Sequence, residues 1–224
     1  MTMFRAFTGS LAMPPLETLT VRELMDEIAA KSPAPGGGAV ASVVGSLAAA
    51  LGNMVVAYSV GKKQFADHAG ALEAASRRLT VARSMMLRLA DEDAAAYQDF
   101  NELSRLPDDD ERRKAEYPNA IQRCVQAPRA VLAATVDVLR LLETLAPITN
   151  RHLRSDLAIA AILCDTAARA ASWNVRVNVP MLSSDAQKRI VLDDTARSVD
   201  ECRRRAAAVE AACDDGQAAP TIPA

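Results

Sequence analysis

The stretch FADHAGALEAASRRLTVARSMMLRLADEDAAAYQDFNELSR, residues 65–105, decides the fold class. Within it Leu72, Leu79, Met86, Asp93 and Phe100 recur every seven residues, and so do Ala75, Ala82, Leu89, Ala96 and Leu103. Nine of these ten positions are apolar, the pattern of a long helix that buries one seam along its length. The exception is Asp93, inside Asp91-Glu92-Asp93. Asp91 and Glu92 read as a solvated run, whereas the helix points Asp93 where its apolar neighbours point. A lone carboxylate in such a seam is costly unless it is paired. Asp93 therefore either meets a structural Arg or Lys or faces a cavity, and buried carboxylates cluster at functional sites.

Composition extends the helical reading to the whole chain. Of its 224 residues 50% are apolar but only 4% aromatic, and the apolar share goes to Ala and Leu rather than to the residues a sheet draws on. Nine Gly cannot supply a turn every eight to twelve residues. The expected fold is all-α, a bundle of long antiparallel helices around a central small-residue helix. A net charge of −2 excludes a generally basic nucleic-acid-binding surface. Two His and four scattered Cys, with no C-x-x-C, make no zinc site, so no metal is expected. Cys124, Cys164, Cys202 and Cys213 read as reduced thiols of a cytoplasmic protein, most of them core filler.

Residues 1–18, with Pro14-Pro15, read as a loose arm, and 213–224 as a frayed tail around a single domain over 19–212. Thr20 and Glu23 form a capping box that opens a helix carrying Val21, Leu24, Met25 and Ile28. Ser32-Pro33-Ala34-Pro35 stops it. Gly36-Gly37-Gly38 then runs into a helix start, where free N–H groups favour an anionic or polar ligand, although no G-K-[ST] makes it a Walker loop. Ala39–Val60 carries no charge and ends at Lys62-Lys63, which satisfies the crude rule for a membrane span. Its Ala content, its Ser and Asn residues, and Gly38, Gly45 and Gly52 on one face argue instead for a closely packed helix, in a bundle centre or at a subunit interface. No membrane is expected.

Further on, Asp108-Asp109-Asp110 starts a helix over about 109–146, which Pro118 and Pro128 are expected to kink or interrupt. The loop Asn150–Asp156 leads into a helix to about residue 178, with Asn174 and Asn178 one turn apart on a face otherwise lined by Ala. Such amides serve structural bonds or ligand contacts. Ser183-Ser184-Asp185 starts the last helix.

The segment Ser32-Pro-Ala-Pro-Gly-Gly-Gly-Ala-Val-Ala41, taken with Gly61-Lys62-Lys63, Asp91-Glu-Asp-Ala94, Asn150–Asp156 and Asn174-Val-Arg-Val-Asn178, resembles the cyclodeaminase/cyclohydrolase family. This family comprises stand-alone methenyltetrahydrofolate cyclohydrolases and the C-terminal half of formiminotransferase-cyclodeaminase. The resemblance covers about residues 19–205, and S-P-x-P-G-G-G is its specific part. Arg151, His152 and Arg154 are bulkier and more basic than the family pattern, which leaves open which of the related reactions is run.

The resemblance implies an all-helical homodimer acting on a tetrahydrofolate derivative, with no bound cofactor. A cyclohydrolase adds water to the cationic 5,10-methenyl carbon to give 10-formyltetrahydrofolate. A cyclodeaminase closes a formimino group onto N10 and releases ammonia. The remaining alternative is a non-catalytic folate-binding or scaffold helical dimer. A carboxylate in an apolar seam serves both reactions, by managing a proton and by attracting a cation at low dielectric. Asp93 is the first candidate, with Asp91 or Glu92 in its place if the helix phase is shifted. Lys62 and Lys63 are candidates for the folate glutamate carboxylates or for proton transfer, or else a solvated pair at a helix end. Asp156 would accept the pterin's donors or serve as a first-turn helix acid. Ser32, Pro35, Gly36, Gly37 and Gly38 would shape the pocket, and Asn150, Asn174 and Asn178 complete the expected binding residues.

Overall fold

Six α-helices account for most of the chain in the computed structural model, which describes residues 14–214. They are α1 (Val21–Ala29), α2 (Gly37–Ala57), α3 (Ala69–Ser104), α4 (Glu111–Leu145), α5 (Arg154–Asn178) and α6 (Asp185–Cys213). Short 3-10 turns at Leu16–Thr18, Lys63–His68, Arg151–Leu153 and Val179–Met181 join or precede them, and no strand occurs among the described residues.

The small residues of α2 set the packing. A β-carbon added at Gly45 would lie 2.5 Å from Met86 Sδ, and one at Gly52 would lie 2.7 Å from Leu142 Cδ2. At Gly38 it would overlap the carboxylate of Asp93. The seam of α3, buried at Leu72, Leu79 and Met86, thus closes directly onto the backbone of α2. Gly38 meeting Asp93 while Gly45 meets Met86 makes α2 and α3 antiparallel. Gly37 beside Asn174 and Gly45 beside Ala167 make α5 antiparallel to α2 as well, so α5 runs in the same direction as α3. α4 runs against α3, and α6 lies along α4 through Arg140–Glu201 and Arg205–Glu143.

The glycine face is therefore consumed inside the chain, and the other side of α2 is left open. Val40, Val44, Leu47, Leu51, Met54 and Tyr58 are half-buried to exposed, with Leu47 and Tyr58 each 56% accessible. α2 is long and apolar enough to cross a membrane by length and composition, and 56% of its most apolar window is buried by the other helices.

Two expectations need correction. Neither Pro118 nor Pro128 interrupts α4, because Ala120, Cys124, Val125, Val131 and Leu132 bury the helix around them and offset the lost backbone bonds. Leu16, assigned to the loose arm, is buried, and its N–H donates to Asp91 Oδ1 at 2.9 Å. The capping box of α1 forms as expected, but α1 buries none of its residues and Val21 is 77% exposed. The remainder of the arm, 1–13, and tail residues 215–224 lie outside the described residues.

Candidate active site

Gly36, Gly37 and Gly38 open α2 where the C-terminal parts of α3 and α5 and the N-terminal half of α4 converge. Together with Pro33, Asp93, Tyr97, Cys124, Asn174 and Asn178 they line a cavity of about 280 Å³. Gly38 has no side chain to displace, so the Asp93 carboxylate lies against the α2 backbone and accepts the N–H of Ala39. Burial pushes the carboxyl up to about 6, and the Ala39 N–H, at the positive end of α2, partly offsets that rise. No ion pair to Asp93 occurs among the described residues, so of the two sequence alternatives the cavity is the one realised.

The two amides frame the opposite wall. Asn174 Nδ2 donates to the Ala170 carbonyl at 3.2 Å, and Asn178 Nδ2 to the Cys124 carbonyl at 2.7 Å. Each amide thus commits one N–H to backbone and keeps its second N–H and its carbonyl oxygen for other partners. Cys124 donates its thiol to the Ala96 carbonyl at 3.4 Å, and burial followed by the Asp93 charge pushes that thiol up to about 11. It is an inert wall at neutral pH. Cys124, Cys164 and Cys202 form no disulfide.

Several expected residues lie elsewhere. Asp91 is outside the cavity, since its side chain is turned to the Leu16 N–H, and Glu92 is exposed. Ser32 is exposed and donates its hydroxyl to the Ala34 carbonyl at 2.7 Å, while Pro35 is buried behind the loop. Neither reaches the cavity lining. Lys62, Lys63 and Asn150 stand at the far end of α2, whose 21 residues separate the two groups by about 30 Å. There Tyr58, Lys62, Lys63, Gln64 and Asn150 line an open depression of about 580 Å³. Gly61, with φ of 73°, turns the chain out of α2 and sends both lysines into solvent. The Asn150 N–H donates to Ser59 Oγ at 2.9 Å, and its side chain caps the next turn through the His152 N–H. Asp156, in the first turn of α5, lines neither cavity.

One lining residue carried no sequence signal. Tyr97, 42% exposed, begins an aromatic ladder with Phe100 at 6.3 Å and Tyr117 at 5.5 Å, ended by the Arg113 guanidinium 5.0 Å above the Tyr117 ring. The one available hint was that Phe100 stands a full seven residues after Asp93 in the same series.

A carboxylate held near neutrality against a helix N-terminus, with two amides and an aromatic lip around it, suits a planar, electron-poor heterocycle. Comparison with known proteins points the same way. A family model described as formiminotransferase-cyclodeaminase matches residues 20–197. The formimidoyltransferase-cyclodeaminase of Sus scrofa is 31% identical over 197 residues, which are 84% of this chain and 36% of that protein. The chain thus spans about a third of the length of that relative. A methenyltetrahydrofolate cyclohydrolase of Methylorubrum extorquens is 28% identical over 171 residues, covering 75% of this chain and 82% of that one. The crystal structure of formiminotetrahydrofolate cyclodeaminase from Thermotoga maritima superposes with a TM-score of 0.78 at 28% identity, covering 88% of this chain and 98% of that one.

Proposed function

The chain belongs to the formiminotransferase-cyclodeaminase family, and from that premise we propose that it is a methenyltetrahydrofolate cyclohydrolase. It adds water to the 5,10-methenyl bridge and yields 10-formyltetrahydrofolate. The observation that carries this reading is the Asp93 carboxylate, desolvated in the glycine-walled cavity and without a cation of its own. The methenyl substrate brings that cation.

Asp93 takes a proton from water as the water oxygen bonds to the bridging carbon, which quenches the positive charge. The tetrahedral intermediate then loses its hydroxyl proton and breaks the carbon–N5 bond. The electron pair passes to N5, which is protonated, and the formyl group stays on N10. One proton is released to solvent per turnover. Asn174, Asn178 and the Gly36–Gly38 backbone contact the pterin, and Tyr97 stacks on a planar ring of the substrate. Lys62 and Lys63 stand about 30 Å from the Asp93 cavity of their own chain, so they would hold the glutamate carboxylates only of a substrate bound by the other subunit. The active protein is a cytoplasmic homodimer with its catalytic domain over 19–212, and the reaction uses no metal or bound cofactor.

The cyclodeaminase reaction is the second reading, favoured by the Thermotoga maritima likeness. It requires a proton donor for the departing ammonia, whereas a group titrating near 6 is mostly ionised at neutral pH and suits water activation. Purified protein is mixed with methenyltetrahydrofolate and the loss of near-UV absorbance is followed. A rate above the buffer blank is expected. A blank-level rate overturns the cyclohydrolase reading, and ammonia released from formiminotetrahydrofolate then selects the cyclodeaminase.

A further inference from the structure

Among the described residues that line the Asp93 cavity there is one carboxylate and no cationic side chain. A partly buried space of that kind favours a cationic occupant over a neutral one of the same shape. Tyr97 adds a second preference of the same sign. It ends a column of stacked rings, Tyr97, Phe100 and Tyr117, with interplanar angles of 27° and 20°. The far end of the column already carries a cation, the Arg113 guanidinium 5.0 Å from the Tyr117 centroid. Arg113 is held there by Asp108 at 2.8 Å and by the carbonyls of Ser104 and Leu106. The near end, Tyr97, stands 42% exposed at the cavity, where no cationic side chain covers it.

Resting on the cyclohydrolase reading, we propose that Tyr97 tells substrate from product by charge. Its ring face binds the cationic methenyl amidinium, and Phe100, Tyr117 and Arg113 are positioning residues that hold that face towards the cavity. Asp93 and Tyr97 are one turn apart on the same side of α3, so a cation beside the carboxylate also meets the ring. A ring face attracts a cation through its quadrupole, whereas a neutral group of the same size gains only dispersion there. Hydration of the methenyl carbon turns the amidinium into a neutral formamide. Both attractions then lapse together, the ionic one at Asp93 and the quadrupolar one at Tyr97. The product is bound more weakly than the substrate, and leaves. A ring free to swing away would lose part of this effect. The column removes that freedom, because Tyr97 packs on Phe100, Phe100 on Tyr117, and Tyr117 under a guanidinium fixed to the turn after α3.

Two ligands that differ in charge at one group test it. KM for methenyltetrahydrofolate and the inhibition constant of 10-formyltetrahydrofolate are measured for wild type, Tyr97→Phe and Tyr97→Leu. The two compounds share one glutamate tail, so its contacts cancel in the ratio of the constants. Tyr97→Leu is expected to raise KM roughly three- to thirtyfold, the worth of a cation over a ring, and to raise the inhibition constant far less. Tyr97→Phe keeps the ring face and is expected to stay within about twofold of wild type for both. Equal losses for the two ligands, or no loss for either, overturn the proposal. Further down the column, Tyr117→Leu is expected to raise KM about threefold with a smaller fall in kcat, and Tyr117→Phe to restore it. A fall in kcat without a change in KM overturns the positioning role. A wild type without turnover would count against the cyclohydrolase reading alone. Dissociation constants of the same two compounds, taken by equilibrium dialysis, then replace the kinetic pair and decide by the same comparison.

Discussion

The two ends of α2 hold their polar groups in opposite ways. At the glycine end the backbone itself is the wall, the Asp93 carboxylate is partly desolvated, and burial moves it towards neutrality. At the far end Lys62 and Lys63 stand in solvent beyond Gly61, in an open depression. A group that must gain and lose a proton needs a fold to tune it. A group that only attracts an anion works at its ordinary charge, where solvent screening limits its worth. On the proposed reading, chemistry belongs to the first end and capture to the second.

The largest effect that can break this contrast comes from Asp93→Asn. It should lower kcat on the order of 10²- to 10⁴-fold, the usual worth of a positioned general base. Because the carboxyl titrates higher in the fold than in the unfolded chain, its contribution to stability is fully present below the unfolded value and is lost as pH rises through about 6. Near pH 8 the variant should therefore melt no lower than wild type, while in wild type kcat/KM should fall as pH drops below about 6. Loss of both activity and stability would make Asp93 a structural residue.

Gly38→Ala comes next. The new methyl displaces the carboxylate, and a misplacement of that size costs on the order of a hundredfold in kcat. Overpacking adds a stability loss of about 1–3 kcal/mol, read from denaturant unfolding. Lys62→Ala/Lys63→Ala should raise KM about tenfold and leave kcat close to wild type, as loss of charge-assisted contacts does. A large fall in kcat with unchanged KM would move proton transfer to that end and erase the distinction. The smallest effect is expected from Asp91→Asn, which weakens the bond to the Leu16 N–H and should cost about 1 kcal/mol of stability with kcat unaltered.

Much of the glycine end could be read from the chain before any coordinates. Seven-residue spacing put Asp93 in the α3 seam, and the same spacing of Gly38, Gly45 and Gly52 announced the close approach of a helix, because both signals are local and periodic. What periodicity cannot express is which partner occupies a face. The glycine face meets α3 and α4 of its own chain rather than a second subunit, and the apolar face of α1 forms with its expected cap yet is only partly covered, through Leu24 against Leu16, Ala39 and Ala90. Asp91 passed for a catalytic substitute because its tie to Leu16 spans 75 residues of sequence. Lys62 and Asp93 appear in one family pattern, but nothing in a linear order of motifs says that α2 will hold them apart along its full length.

The contact between Gly38 and Asp93 also restricts how this molecule can change over time. Neither position is free to vary alone, since any side chain at 38 evicts the carboxylate, and the carboxylate is what fills the space a side chain at 38 would take. A lineage that abandons the chemistry is released at both positions together, and larger residues can then enter at 38 as smaller or neutral ones enter at 93. The identity of residue 38 in a related sequence therefore reports, without an assay, whether that protein still keeps a carboxylate in its cavity.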